Sequence, residues 1–322
     1  MTQVGLHRAN ERNKAVILGA SGFIGVNLAR ALAARGFALF CFARHTSELW
    51  PAESNIILGD LAHPPRQLLA AMEGSIVFHL ANSSRPTEST DKAAAEIEAD
   101  LIATVGLLEA TKGLDCRWVF SSSGGTVYGQ SDAVQITEEH STIPISSYGT
   151  VKLATERYFN LFKTLHGVDS VIARISNPFG PYQSAAKGQG LVAALFDRIA
   201  SGSPVEVWGD GKNVRDYVYI DDVTRALILL GLRGSAGEIY NVGSGVGTSV
   251  TELVTKISAF LGVPAELVYT HARGIDVHRN VLDIRKIGRE LGWRPVYTLE
   301  EGIRLTYHWR QRQSQLRDSY EG

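Results

Sequence analysis

Cysteine is scarce in these 322 residues, with two in all. Cys41 and Cys116 each lie in or beside an apolar stretch that reads as a buried strand, which suits small core residues in a reducing compartment and excludes a disulfide framework. No apolar run reaches the roughly 18 residues of a membrane span, because Gly, Arg or Asn interrupts each one. Residues 1–13 are polar and lack the apolar stretch of a secretory signal, so they read as a loose tail and the protein as cytoplasmic. Low-complexity tracts and internal repeats are missing. So is charge of one sign: 32 Lys and Arg stand against 33 Asp and Glu, a formal net charge of -1. Neither nucleic acid nor an anionic membrane is therefore expected as a partner, and no metal site is expected. The hydrophobic share of 44% is enough for one large domain or two unequal ones.

What is present has a rhythm. From Lys14 to Arg174, apolar runs of strand length (15–18, 38–42, 55–58, 76–80, 117–122 and 170–175) alternate with helix candidates at 22–35, 66–73, 92–112 and 148–166. That alternation predicts an α/β fold with a doubly wound, Rossmann-type parallel sheet covered on both faces. The helix over 92–112 places Ile97, Leu101, Val105 and Leu108 on one face. Beyond Ser176 come short strands, Gly and Pro turns, and helix candidates near 188–201, 221–232, 249–261 and 299–313, a pattern that cannot build a parallel sheet by itself. The expectation is a dinucleotide-binding domain over 14–176, with segments near 214–243 returning to its edge. A smaller C-terminal α/β substrate lobe over 177–213 and 244–315 would close the mouth of the sheet. Both RDYVYI (215–220) and EIYNV (238–242) are candidates for the returning strands.

A strand followed by Gly19-x-x-Gly22-x-x-Gly25 and then a helical run is the setting in which a glycine triplet binds phosphate. Gly19 permits the tight turn, Gly22 the approach of a pyrophosphate and Gly25 the packing of helix on strand, with the helix N-terminus facing the anion. A cofactor with a free ribose 2′-hydroxyl is commonly gripped by a carboxylate after the second strand, but here the chain reads Phe42-Ala43-Arg44-His45. Arg44 suits a 2′-phosphate or is a solvated surface residue, so NAD is the expected cofactor with NADP open. Asp60 is placed to touch adenine or to cap a turn. With Ser21, Phe23 and Ile24 inside the glycine turn, and with Leu61, Leu80 and Ala81 after the third and fourth strands, these residues make up the expected cofactor site.

Tyr148 and Lys152 stand four apart on one helix face. A phenol with an ordinary pKa of about 10 is a poor base at neutral pH, and a neighbouring cation favours its ionised form. The pair could then exchange a proton with a sugar hydroxyl while hydride moves to or from nicotinamide. Ser121-Ser122-Ser123 ends the fifth strand at the C-terminal edge of the sheet, where a hydroxyl could donate to the reacting oxygen.

With these motifs the chain resembles the extended short-chain dehydrogenase/reductase family, in its nucleotide-sugar epimerase and dehydratase branch. The resemblance runs from about Lys14 to about Tyr307 through GASGFIG (19–25), FHLAN (78–82), FSSSGGTVYG (120–129), YGTVK (148–152), RISNPFGPYQ (174–183), WGDGKNVRDYVYIDDV (208–223), YNVGSG (240–245), RGIDVHRNVLD (273–283) and LGWRP (291–295). It implies that Tyr148 is the catalytic acid/base, that Lys152 holds the nicotinamide ribose and tunes Tyr148, and that Ser123 is the hydroxyl partner. Counted back from Val127-Tyr128-Gly129, the position of that hydroxyl is Gly124, because the loop carries one extra residue, so Ser123 and Thr126 both stand as candidates. The resemblance further implies that Asn177, Arg215 and Arg273, with Asp276 nearby, hold a nucleotide diphosphate, and that Trp208 lies against its base. Asn280 falls where the branch limits the size of the sugar C2 substituent, and its small side chain leaves room for an N-acetylhexosamine or uronic acid.

Two departures bear on the reaction. Members that dehydrate a 4-keto sugar carry an Asp-Glu pair before Val-Tyr-Gly, whereas this loop reads Gly124-Gly125-Thr126. Asp100 stands where the branch has asparagine. The function implied is a nucleotide-sugar 4-epimerase for a UDP-hexose or UDP-N-acetylhexosamine, working as a homodimer in which helices 92–112 and 148–166 form a four-helix interface. An NADP-dependent 4-keto-sugar nucleotide reductase is the alternative. A non-catalytic dinucleotide sensor on the same fold would need none of Tyr148, Lys152 and the hydroxyl.

Overall fold

The computed structural model describes residues 12–83, 93–184, 190–271 and 277–321. Its first half lays down strands β1 (Lys14–Leu18), β2 (Ala38–Ala43), β3 (Asn55–Leu58), β4 (Ile76–His79), β5 (Arg117–Ser123) and β6 (Asp169–Ile175). The second half adds β7 (Asn177–Phe179), β8 (Val205–Trp208), β9 (Val214–Tyr219), β10 (Ile239–Val242), β11 (Gly247–Ser249), β12 (Leu267–Thr270) and β13 (Arg279–Asn280). Seven of these form one sheet in the order β10-β6-β5-β4-β1-β2-β3, with every neighbouring pair parallel.

Strand alternation explains why both faces are covered. Ala15 and Ile17 of β1 and Val119 of β5 point into one core with Val26, Leu28 and Leu32 of the helix Phe23–Ala33 and Val223, Leu227 and Leu230 of the helix Ile220–Arg233. Val16 and Leu18, with Trp118 and Phe120, point into the other, against Leu68 and Met72, Leu107 and Leu108, and Phe159 and Phe162. The Phe159 ring stacks on Phe120 at 5.1 Å and meets Trp118 edge-on at 5.6 Å, which fixes the helix Ser147–His166 against β5.

Three expectations are corrected. RDYVYI does not return to the large sheet: β9 pairs with β7, β11 and β13 in a separate four-stranded sheet, and the elements that do return are the helix Ile220–Arg233 and β10. The second half also builds parallel pairs of its own, β8 with β12 and β9 with β7 and β13, because helices bridge strands too short to read as a sheet. The helix over 92–112 is broken into Ala93–Glu96, a π-helical turn Ile97–Ile102, and Ala103–Thr111. A π turn inserts a residue and rotates the apolar stripe, so Leu108 is buried while Ile97 is 42% exposed.

Chain order reverses between β1 and β4: from β1 the sheet grows outward through β2 and β3, and from β4 it grows the other way. Open α/β folds bind ligands at the strand C-termini of such a switch point. Gly19, at φ 83°, turns the chain there, and a Cβ on it would lie 2.7 Å from the Ala81 backbone that follows β4. The two switch-point strands are thus held together by a residue that must be glycine. Gly25 is as constrained, since a Cβ would lie 2.4 Å from the Gly19 carbonyl oxygen and 2.8 Å from Ala20 Cα. Gly25→Ala is expected to cost about 1–3 kcal/mol in urea unfolding, by forcing backbone apart, and to purify without dinucleotide.

Candidate active site

A cleft at the switch point is lined by Gly19, Ser21 and Gly22 of the glycine turn, Phe42, Ala43 and Arg44 at the end of β2, and Gly59, Asp60 and Leu61 after β3. Leu80 to Ser83 after β4, with Ala99 and Asp100 of the π turn, complete it. Phe23, Ile24 and Gly25 form the first turn of the helix behind it, and Gly22, its N-cap, offers no side-chain cap to the helix N–H groups. Uncapped N–H groups with bare glycine backbone in front of them suit a pyrophosphate. Arg44 is exposed on the rim and makes no hydrogen bond or ion pair among the described residues. Asp60 lines the cleft and caps its own turn through a bond from the Ala62 N–H at 2.9 Å.

The candidate catalytic side chains come from two elements that meet beside this cleft. Ser146 caps the helix Ser147–His166, its hydroxyl accepting from the Gly149 N–H, and so starts the helix with Tyr148 facing the end of β5. Ser123 lies beside the Tyr148 hydroxyl and favours its ionised form. Thr126, the other candidate hydroxyl, has a buried Oγ1 without a partner. Lys152 is buried and donates to the Ser121 carbonyl at 3.1 Å, with its Nζ 5.8 Å from the Tyr148 ring centroid and 5.0 Å from that of Phe120.

The electrostatics differ from the simple picture of a cation lowering a phenol. Burial pushes the Tyr148 pKa up, the Asp100 and Glu96 carboxylates push it further, and the Ser123 hydrogen bond opposes them. Lys152 is pulled down to about 8 by burial, against the favourable fields of Asp100 and Glu156. Lys152 gives one of its donors to a backbone carbonyl, and burial with the two carboxylates favours the protonated phenol.

Asp100 thereby acquires a role that sequence spacing could not assign. Its two carboxylate oxygens accept from the Ser83 N–H at 2.8 Å and the Ser83 hydroxyl at 3.0 Å, and an asparagine could accept with only one atom. The Thr104 hydroxyl donates to the Asp100 carbonyl and pairs with the buried His79, whose pKa burial drives down to about 3, so the imidazole is neutral. This chain ties the end of β4 to the π turn. Gly59, Asn82, Ser83, Ala99 and Asp100 are cleft residues that sequence reasoning missed or left unexplained, and the signal available was the acid at 100.

In the small sheet, Asn177 donates to the Asp216 carbonyl at 3.1 Å. Asp216 is fully buried and accepts from the N–H and hydroxyl of Ser244 and from the N–H groups of Gly245 and Leu282. Arg215 beside it is half-buried, with Nη1 on the Val214 carbonyl. Trp208 is 36% exposed, and its indole N–H donates to Glu206. Asn280 has no exposed surface; its amide donates to the Gly124 carbonyl at 2.9 Å, so it does not line open space as a wall beside a sugar would. Arg273 and Asp276 lie outside the described residues.

Residues 15–243 match the NAD dependent epimerase/dehydratase family. The chain belongs to that family. A UDP-glucose 4-epimerase of Mycolicibacterium smegmatis is 32% identical over 316 residues, 94% of this chain and all of the relative. A dTDP-4-dehydro-6-deoxyglucose reductase of Escherichia coli is 30% identical over 309 residues, covering 91% of this chain and 96% of that one. Among solved structures, the UDP-glucose 4-epimerase of Thermotoga maritima with UDP-glucose superposes with a TM-score of 0.87 at 31% identity, over 93% of this chain and 99% of that one. As a family member the protein is an NAD-dependent enzyme of the epimerase/dehydratase type, and the cleft at the glycine turn fits that cofactor. Among the described residues no helix is long and apolar enough to cross a membrane.

Proposed function

We propose that this enzyme is a nucleotide-sugar 4-epimerase acting on a UDP-hexose or UDP-N-acetylhexosamine. The observation that carries this reading is the placement of Ser123 beside Tyr148 and Lys152, in a loop whose Gly124 and Gly125 supply no acid or base for eliminating water. Tyr148 takes the C4 hydroxyl proton and later returns it, and Ser123 holds the C4 oxygen in line with the phenol. Bound NAD supplies the hydride acceptor for C4 and the donor for its return. Lys152 is buried and Tyr148 half-buried, which limits the access of water to the proton's path. Asn177, Arg215 and Arg273 are assigned to the diphosphate and Trp208 to the base, so that the sugar alone is free to turn.

The test is turnover of UDP-glucose without added cofactor. Conversion to UDP-galactose with no lasting change in the nicotinamide absorbance band supports the epimerase. Stoichiometric consumption of added NADPH with a 4-keto sugar nucleotide instead supports the reductase, a reading favoured by Arg44, exposed on the rim where the end of β2 carries no acid, and by the likeness to the reductase of Escherichia coli. In that case Arg44→Ala is expected to weaken NADPH at least about tenfold and leave NADH within about twofold, as read by cofactor fluorescence titration.

The enzyme is further proposed to be a homodimer. Ile97 and Ile102 on the π turn, with Leu161 and Leu165 on the helix Ser147–His166, leave apolar side chains 42–63% exposed on two adjacent helical segments. Light scattering of the purified protein reads this directly, a monomer being the contrary result.

A further inference from the structure

We infer that Asn280 is a positioning residue for the catalytic loop: from the substrate lobe, its amide grips the Gly124 carbonyl and so keeps Ser123 on Tyr148. The inference rests on the reading of Tyr148 and Ser123 given above. Gly124 is held from two sides, its N–H by the Ile175 carbonyl at the end of β6 and its carbonyl by Asn280 in β13. Leu282 closes the space over it, since a Cβ on Gly124 would lie 2.6 Å from Leu282 Cδ1. Asn280 is itself anchored, paired in register with Arg215 of β9, while the Leu282 N–H is bonded to Asp216. The strand that carries Arg215 is therefore one strand away from the grip on the loop that carries Ser123.

Packing alone does not account for an asparagine here. Its Oδ1 is buried with no partner, and an unpaired buried acceptor costs stability that an apolar side chain of similar size would not. What the amide offers in return is one donor, aimed at the loop.

The experiment compares Asn280→Leu and Asn280→Asp with the unmodified enzyme. Asn280→Leu is expected to lower kcat about 10- to 100-fold, with KM for UDP-glucose and bound NAD within about twofold. Its melting temperature is expected to hold, and hydrogen exchange at the amides of 123–127 to quicken. Asn280→Asp can donate only when protonated, so its kcat relative to the parent is expected to recover as pH falls. A retained kcat, with a raised KM and a changed preference between UDP-hexose and UDP-N-acetylhexosamine, would overturn the inference and make Asn280 a wall of the sugar pocket. Equal losses of stability and rate would reduce it to a structural residue. If the unmodified enzyme turns over no nucleotide sugar, the functional reading fails, and loop exchange in Asn280→Leu still decides the grip: quickened supports it, unchanged refutes it.

Discussion

Tyr148→Phe is expected to lower kcat by about 10²–10⁴-fold while the protein still purifies with its dinucleotide. The substitution removes one oxygen, the one whose ionisation Ser123 favours, and leaves the ring in place beside Lys152. The pH dependence has a defined sign. Proton abstraction needs the phenolate, and Tyr148 is held protonated by burial and by Asp100 and Glu96, so the rate rises with pH on its acid limb. Ser123 opposes that shift, and Ser123→Ala should therefore move the limb to higher pH as well as lower the rate. Asp100→Asn, which removes a negative charge that raises Tyr148, should move it the other way. A profile unmoved by both would separate this tyrosine from the rate.

Arg174→Met carries the largest expected loss of stability, about 3–5 kcal/mol in urea unfolding. Arg174 and Glu156 are both buried, with side chains 3% and 1% exposed, and their closest contact is 2.6 Å. The same carboxylate accepts from Ser122 at 2.5 Å, and the guanidinium lies 4.8 Å from the ring of Tyr128, whose hydroxyl donates to Asn241. Removing the cation strands a carboxylate that still holds Ser122, next to Ser123, the proposed hydroxyl partner of Tyr148. Changing both partners, as in Arg174→Met with Glu156→Gln, should recover much of the loss, because the penalty is for the unpaired charge rather than for the missing bond.

The parts of this fold that were legible are those governed by periodicity. Strands of β1 to β6 fell where apolar runs said they would, because a parallel sheet buried on both faces has little else to be made of. Short strands gave no such signal: β9 carries a run of mixed character, and its pairing with β7, β11 and β13 depends on segments far away in the chain. The π turn escaped because a one-residue insertion changes the phase of a helix without changing its composition. In the site, Tyr148 and Lys152 were readable from their spacing. The choice between Ser123 and Thr126 was not, since it turns on which hydroxyl the loop presents, and the loop is shaped by Asn280 and Leu282 from another lobe. Asp100 was visible as an oddity, and its meaning waited on Ser83, which sequence distance hides.

The most direct test of the central claim follows the hydride itself. Incubated with UDP-glucose deuterated at C4, in the absence of added cofactor, the enzyme is expected to yield UDP-galactose that keeps its deuterium at C4 by NMR, because the hydride leaves and returns within one active site. Product lacking deuterium at C4, or no product until NADPH and a 4-keto sugar nucleotide are supplied, would contradict a 4-epimerase.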